Sequence, residues 1–381
     1  MQKKKIVALI GARPQIIKHS AIERAVKNSF SDKIELITIH SGQHYSPEMS
    51  DLFFQEMGID QPQVNLNVGS LSHAKQTAVM MEKLDEYLDE NPCDAFLVYG
   101  DTNSTLAGAL VASKRQIPLI HIEAGLRSFD KAMPEEINRI MTDHVSSLLF
   151  CPTKTAIVNL KNEHIVHHEQ GVLNAPAVFE CGDIMYDNSL HFADVAKTQA
   201  TVLQKNDLQT NQFILSTIHR NSNTDEKNNL TAIFEGLLEV VKTHDIPVVL
   251  PLHPRTKKMM SQLLDSELLV QISNDNRLKI IDPVGFIDMI ALEENARLII
   301  TDSGGVQKEA YFFKKAGVIL RPHTEWVEIV ENGCATLVGA DKNKMIEAVN
   351  YFLAKTDLQF PEVFGDGKAS EFILSKIVAL C

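Results

Sequence analysis

The sequence predicts an α/β protein made of two doubly wound domains, each an open parallel sheet flanked by helices. Three observations lead there. Short apolar runs such as Phe96–Tyr99 and Leu298–Thr301 alternate with helical stretches along nearly the whole chain. Glycine and polar residues follow these runs, as in Gly100-Asp101-Thr102 and Asp302-Ser303-Gly304-Gly305. A length of 381 residues suffices for two separate cores.

The elements read in order. Lys5 to Ile10 forms the first strand, and Gly11-Ala12-Arg13-Pro14 turns into a helix. Strands at Glu35 to His40, Phe96 to Tyr99, Leu119 to Ile122 and Leu148 to Cys151 complete a first domain over residues 1–175. A less regular section, Val166 to Cys181, leads to Gly182-Asp183, and the linker is expected near residues 171–190. A second series follows over 176–364: Phe213 to Thr217, Val248 to Leu252, Lys279 to Ile281, Leu298 to Thr301 and Val318 to Leu320. Two such domains would leave a cleft, a preferred place for a small-molecule site.

Composition narrows the function. A formal charge of −12 argues against a general nucleic-acid or membrane-surface binder. No apolar run approaches the ~20 residues of a membrane helix, and Lys3-Lys4-Lys5 precedes too short an apolar run for a signal peptide. The five cysteines are scattered and unpaired in spacing, which suggests reduced thiols and a cytoplasmic location.

The densest chemistry lies between Phe96 and Arg139. Asp101 and Glu123 follow two successive strands, and Glu135 and Glu136 come shortly after in Pro134-Glu135-Glu136-Ile137-Asn138-Arg139. Parallel sheets bind ligands beyond the carboxyl ends of their strands, so these acids suit proton transfer. In the second half, Ser303-Gly304-Gly305 opens a helix whose free amides suit a diphosphate, and Glu309 could accept from ribose hydroxyls. The same residues also fit a tight turn with a serine cap. His219 and His253 end two strands, each with an arginine close behind, which points to phosphate binding and acid catalysis. Arg13 and Lys18 lie on the ligand face of the first sheet. His164, His167, His168 and Glu169 lack the supporting spacing of a metal site, and no metal is expected. There is no Walker lysine motif, no strand-linked G-x-G-x-x-G and no G-x-S-x-G elbow.

Together the motifs GARPQIIK, SGQHY, YGDTNSTLAGAL, HIEAGLRS, PEEINR, FCPT, IHR, PLHP, TDSGGVQKEA and LRPHTEWVEIVENG resemble the UDP-N-acetylglucosamine 2-epimerase family. The resemblance implies two Rossmann-like domains in the glycosyltransferase B arrangement. A UDP-sugar would bind in the interdomain cleft, and a last helix, about residues 365–381, would return to the first domain. It implies a homodimer that needs no cofactor. Carried over by motif, Asp101, Glu123, Glu135 and His219 would be catalytic. Arg13, Lys18, His253, Ser303, Gly304, Gly305, Glu309 and Arg321 would bind substrate.

Four positions depart from the usual pattern of enzymes acting on UDP-N-acetylglucosamine: Gln15, Lys308, Trp326 and Val327. GARPQ, VQKEA and TEWVE look like the subgroup acting on UDP-2,3-diacetamido-2,3-dideoxy-glucuronate, a precursor of surface polysaccharide. The exchanges leave this region less negative, which would suit a substrate carboxylate. Asn221 replaces the second arginine of a THRREN-type motif, which puts allosteric activation in doubt.

Overall fold

A computed structural model describes residues 3–43 and 53–380. The chain divides into two compact units, one reaching Asn188 and resuming at Glu362, the other Ser189–Pro361.

The first unit holds a seven-stranded parallel sheet: β1 (Lys4–Ile10), β2 (Ile34–His40), β3 (Val64–Asn65), β4 (Ala95–Tyr99), β5 (Leu119–Ile122), β6 (Leu148–Cys151) and β7 (Ala177–Glu180). Its order is β3-β2-β1-β4-β5-β6-β7. Strands β4, β5 and β6 are apolar throughout apart from His121, and are buried along their whole length, as expected of strands covered by helices on both faces. Val7, Leu9, Phe96 and Val98 pack against Leu84 and Leu88 of the His73–Glu90 helix and Ala107 and Val111 of the Asn103–Lys114 helix.

The second unit repeats the plan with β8 (Ile214–Thr217), β9 (Val248–Pro251), β10 (Leu278–Ile281), β11 (Leu298–Thr301), β12 (Ala316–Ile319) and β13 (Ala335–Leu337). The order is β10-β9-β8-β11-β12-β13, again all parallel. Ile214, Leu250, Ile300 and Val318 meet Phe234, Leu237 and Val241 of the Lys227–His244 helix. In each sheet the connections reverse direction at one point, beside β1 and β4 in the first and beside β8 and β11 in the second. The turns after these strands therefore open onto the crevice where doubly wound sheets hold ligands.

Three strands were not apparent in the sequence: β3, β7 and β13. The most consequential is β7, which pairs with β6 from Leu148↔Ala177 to Cys151↔Glu180 inside the stretch read as irregular linker. A boundary at 175/176 would strip that strand from its sheet, so the division falls later, within the Ile184–Gln199 helix. The Ala369–Leu380 helix belongs to the first unit, where it packs on the Arg13–Ala25 helix. No described helix is long and apolar enough to cross a membrane.

Candidate active site

In the first unit, the turns after β1, β2 and β4 are tied together by polar side chains. Gln15 is buried; its Oε1 accepts from Gly11 N (2.9 Å) and Ala12 N (3.1 Å), and its Nε2 donates to the Tyr99 carbonyl (2.9 Å) and Thr105 Oγ1 (3.0 Å). Ser41 and Ser104 hydroxyls meet at 2.8 Å directly over Gly11. A Cβ at Gly11 would stand 2.2 Å from Ser41 Oγ, so only glycine fits.

Gly100 follows β4 with φ +61°, and Asp101 comes next. A side chain on Gly100 would press on Glu123 Oε2 (3.1 Å) and Lys18 Nζ (3.2 Å), so the glycine leaves room for that ion pair. Lys18 and Glu123 are bonded to each other and nearly buried. Glu123 itself has φ +75°, a left-handed conformation that costs a non-glycine residue ~1–3 kcal/mol and is typically found where function over-determines the backbone. Its amide and that of Ala124 share the Phe150 carbonyl at 3.1 and 3.0 Å.

Asp101 is half-buried and bonded to Arg139, and its carbonyl accepts from Asn138 Nδ2 at 2.8 Å. Burial raises the Asp101 carboxyl above its ordinary value; Arg139 and Lys18 oppose this, and the Glu123 and Glu135 charges add to it. Of the two adjacent glutamates, Glu135 is exposed, while Glu136 turns inward. Glu136 accepts from Ser128 N (2.8 Å), Ser128 Oγ (2.9 Å), Phe129 N (3.0 Å) and Arg139 Nη1 (3.1 Å). Burial would raise its carboxyl, but these donors hold it below its ordinary value. Arg13 is exposed, its guanidinium 4.5 Å above the Phe53 ring.

In the second unit the organiser is Asp302, whose role its place in the turn after β11 does not reveal in the sequence. It is fully buried after β11, and its carboxylate accepts from His219 N (3.0 Å), Arg220 N (3.0 Å) and Asn223 Nδ2 (3.1 Å). His219 Nδ1 lies 3.0 Å from the same carboxylate, leaving the other ring nitrogen on the half-exposed side of the residue. Burial would raise Asp302, yet His219, the Arg220 amide and Asn223 carry it below its ordinary value. Ser303 caps the Gly304–Phe312 helix, its Oγ accepting from Val306 N at 3.4 Å. The capping serine is therefore real, and the Gly304 and Gly305 amides remain at the helix start. Arg321 pairs with Glu325 at 2.9 Å, and a Cβ on Gly304 would lie 3.2 Å from that glutamate. His253 lies two residues after β9 and caps the Pro254–Leu263 helix by accepting from Arg255 N at 3.2 Å. Glu309 is buried beside Glu293, a fully buried carboxyl that burial first, and the Glu309 charge second, push well above its ordinary value.

Gln15 is a buried tie inside the first unit. Lys308 and Trp326 are both buried and touch, the ammonium 3.9 Å from the ring centroid. The lysine that replaces a usual glutamate thus stacks on the tryptophan that replaces a usual arginine. The two side chains therefore make a cation–π contact, and the Lys308 charge is engaged there.

The pattern of known proteins fits this geometry. The sequence pattern of the UDP-N-acetylglucosamine 2-epimerase family matches residues 27–378. The chain belongs to that family. It is a UDP-sugar 2-epimerase. A UDP-N-acetylglucosamine 2-epimerase homolog of Methanococcus maripaludis is 45% identical, covering 96% of this chain and 97% of its own. The UDP-2,3-diacetamido-2,3-dideoxy-D-glucuronate 2-epimerase of Pseudomonas aeruginosa is 43% identical, covering 99% and 100%. Among solved structures, the Methanocaldococcus jannaschii UDP-GlcNAc 2-epimerase in complex with UDP-GlcNAc and UDP superposes with a TM-score of 0.82 at 40% identity, covering 98% of this epimerase and 99% of that chain.

Proposed function

We propose that the enzyme epimerises C2 of a UDP-activated 2-acetamido sugar without hydrolysis, by elimination and re-addition of UDP. The carrying observation is the carboxylate set at the first unit's crevice, Asp101 and Glu123 with Glu135 close by. The C2 proton has no adjacent carbonyl, so its direct removal would be very costly. As the C1–O bond breaks, UDP leaves with the electron pair, C1 gains oxocarbenium character, and the C2 proton becomes acidic. A carboxylate takes it and a C1–C2 double bond forms. Protonation of C2 on the opposite face and return of UDP to C1 give the epimer.

Asp101, with its raised carboxyl, and Glu123, held on a strained turn beside Lys18, suit this proton traffic, with Glu135 assisting. His219, oriented by Asp302, would meet the departing diphosphate. Arg13, Lys18, His253, Ser303, Gly304, Gly305, Glu309 and Arg321 would bind the substrate, with UDP falling to those of the second unit. No cofactor is required by this scheme. Run in heavy water, the epimer should carry deuterium at C2; product without it, or release of free sugar and UDP, would refute the scheme.

The finer reading is that the sugar is 2,3-diacetamido-2,3-dideoxy-glucuronate, supported by the GARPQ, VQKEA and TEWVE motifs and by the P. aeruginosa relative. UDP-N-acetylglucosamine is the second reading, favoured by the M. jannaschii relative. Turnover of both UDP-sugars side by side separates them, and equal or better use of UDP-N-acetylglucosamine would overturn the first. We further propose a homodimer. Met133 at the N-cap, and Ile137 and Met141 on the Pro134–His144 helix, recur every fourth residue and are exposed, as is Phe129 at 79% exposure. Such a stripe suits a second copy of the chain.

A further inference from the structure

His121 lies in the middle of β5, fully buried, between two oxygens. Its Nδ1 is 2.7 Å from Asp143 Oδ1, and its Nε2 is 2.9 Å from the Gly100 carbonyl. Both neighbours are acceptors, so a neutral ring would set a lone pair against one of them; satisfying both requires both nitrogens to donate. The partner carboxylate is equally committed. Asp143 Oδ2 accepts from Arg127 Nη1 (2.7 Å) and Gly125 N (3.1 Å), and Arg127 reaches on to Glu163 at 2.7 Å. Burial would raise the Asp143 carboxyl, but His121 and Arg127 hold it below its ordinary value.

The consequence is geometric. Gly100 (φ +61°) and Gly125 (φ +79°) are left-handed residues, one directly before Asp101 and the other two residues after Glu123. One buried pair therefore holds the backbone of both turns: His121 grips Gly100, and Asp143 grips Gly125. Neither side chain reaches the crevice itself.

We propose that His121, donating from both ring nitrogens and seated on Asp143, is the positioning residue that fixes Asp101 relative to Glu123 for proton transfer at C2. The inference rests on the reading of Asp101 and Glu123 as the proton-transfer carboxylates. It assigns His121 to orientation of the reacting groups and leaves UDP binding to other residues.

The test compares His121→Asn, whose amide can still reach Asp143 but not Gly100, with His121→Gln, whose longer amide can reach Gly100. A misplacement of about 1 Å should cost His121→Asn ~100-fold in kcat. KM for the UDP-sugar and Kd for UDP by calorimetry should stay within about threefold of the parent. His121→Gln should recover a substantial part of kcat. Unchanged kcat in His121→Asn would overturn the proposal. So would equal losses in both variants that track a fall in Tm, since these would mark His121 as a packing residue only. If neither variant folds, nitrogen-15 NMR of the parent enzyme decides: two N–H signals from the His121 ring support the proposal, and a neutral tautomer overturns it. Asp101→Asn is run in parallel. Activity in that variant would overturn the underlying reading, whereas an inactive Asp101→Asn beside active His121 variants would overturn this inference alone.

Discussion

Exchanging Lys308 and Trp326 for the residues usual elsewhere in the family offers a quantitative test of their contact. The two side chains are 4% and 5% exposed, with the ammonium 3.9 Å from the ring centroid. A desolvated cation–π contact contributes about 2 kcal/mol. In Trp326→Arg that contact is lost and a second cation arrives; two like charges ~4 Å apart at an effective dielectric of ~20 repel by about 4 kcal/mol. Lys308→Glu loses the same contact and turns a carboxylate toward the ring's negative face. In the double variant the charges are opposite again and attract. For a unit of this size, 1 kcal/mol moves Tm by roughly 2–4 °C. Trp326→Arg, at about 6 kcal/mol, should therefore lower the second unit's transition by ~12–24 °C, and Lys308→Glu, at about 2 kcal/mol, by ~4–8 °C. The double variant should recover most of that loss, with a coupling of at least ~2 kcal/mol. Scanning calorimetry of the four full-length proteins measures this, with UDP affinity as a check that the Gly304–Phe312 helix is intact. A double variant that loses the sum of the two single losses would refute the coupling, and the two departures would be independent.

Burial lowers the His19 imidazole from 6.5 to about 4, its ring held between Tyr99 Oη and Thr38 Oγ1 at 2.8 Å each. The folded state binds this proton less well than the unfolded chain, so the stability is present above pH 6.5 and is lost as pH falls toward 4; the loss should approach ~3 kcal/mol by linkage. A His19→Gln variant should show a flatter acid dependence of the first unit's Tm, and an unchanged slope would count against the assignment. Ser303→Ala and Glu309→Gln should each weaken UDP binding by about tenfold, ~1.4 kcal/mol, with Tm little changed; calorimetry with unaltered Kd in both would remove them from the site. Ile137→Glu should shift the protein from dimer to monomer in sedimentation velocity, and a persisting dimer would move the interface elsewhere.

Most of this architecture is visible in the sequence because parallel strands buried on both faces are written as uninterrupted apolar runs: Ala95–Tyr99 and Leu298–Thr301 could hardly be anything else. The strands that escaped are those without such a run. Val64–Asn65 has two residues, and Ala335–Leu337 has three. Ala177–Glu180 ends in a partly exposed phenylalanine and an exposed glutamate at the sheet edge, so its apolar signal is weak. Chemistry was legible where a strand end placed it, as with Asp101 and Glu123. It was hidden where a residue works through its neighbours. Gln15 reads as a polar exchange, yet it ties the Gly11–Ala12 backbone to the Tyr99 carbonyl and the Thr105 hydroxyl. Asp302 reads as part of a turn, yet it anchors His219. The inward turn of Glu136 and Arg139, against the outward Glu135, depends on helical phase relative to Asp101, which spacing alone does not supply.

The path of the chain through the first unit has a consequence for biosynthesis. The first unit is left at Asn188 and taken up again at Glu362. There the Asp187 carboxylate receives Ala369 N (3.0 Å), Ser370 N (2.8 Å) and Ser370 Oγ (2.7 Å), closing the start of the Ala369–Leu380 helix. Domains generally fold as they leave the ribosome, beginning with the N-terminal one. Here the order is interleaved. The second unit is fully synthesised while the first still lacks the helix that buries Ile373, Leu374 and Ile377. At ordinary elongation rates the stretch from residue 362 to residue 381 takes roughly 1–4 s to make. During that interval the nascent chain carries a finished second unit joined to a first one with an apolar face still uncovered. A frameshift near residue 362 would thus damage the half of the enzyme that was synthesised first.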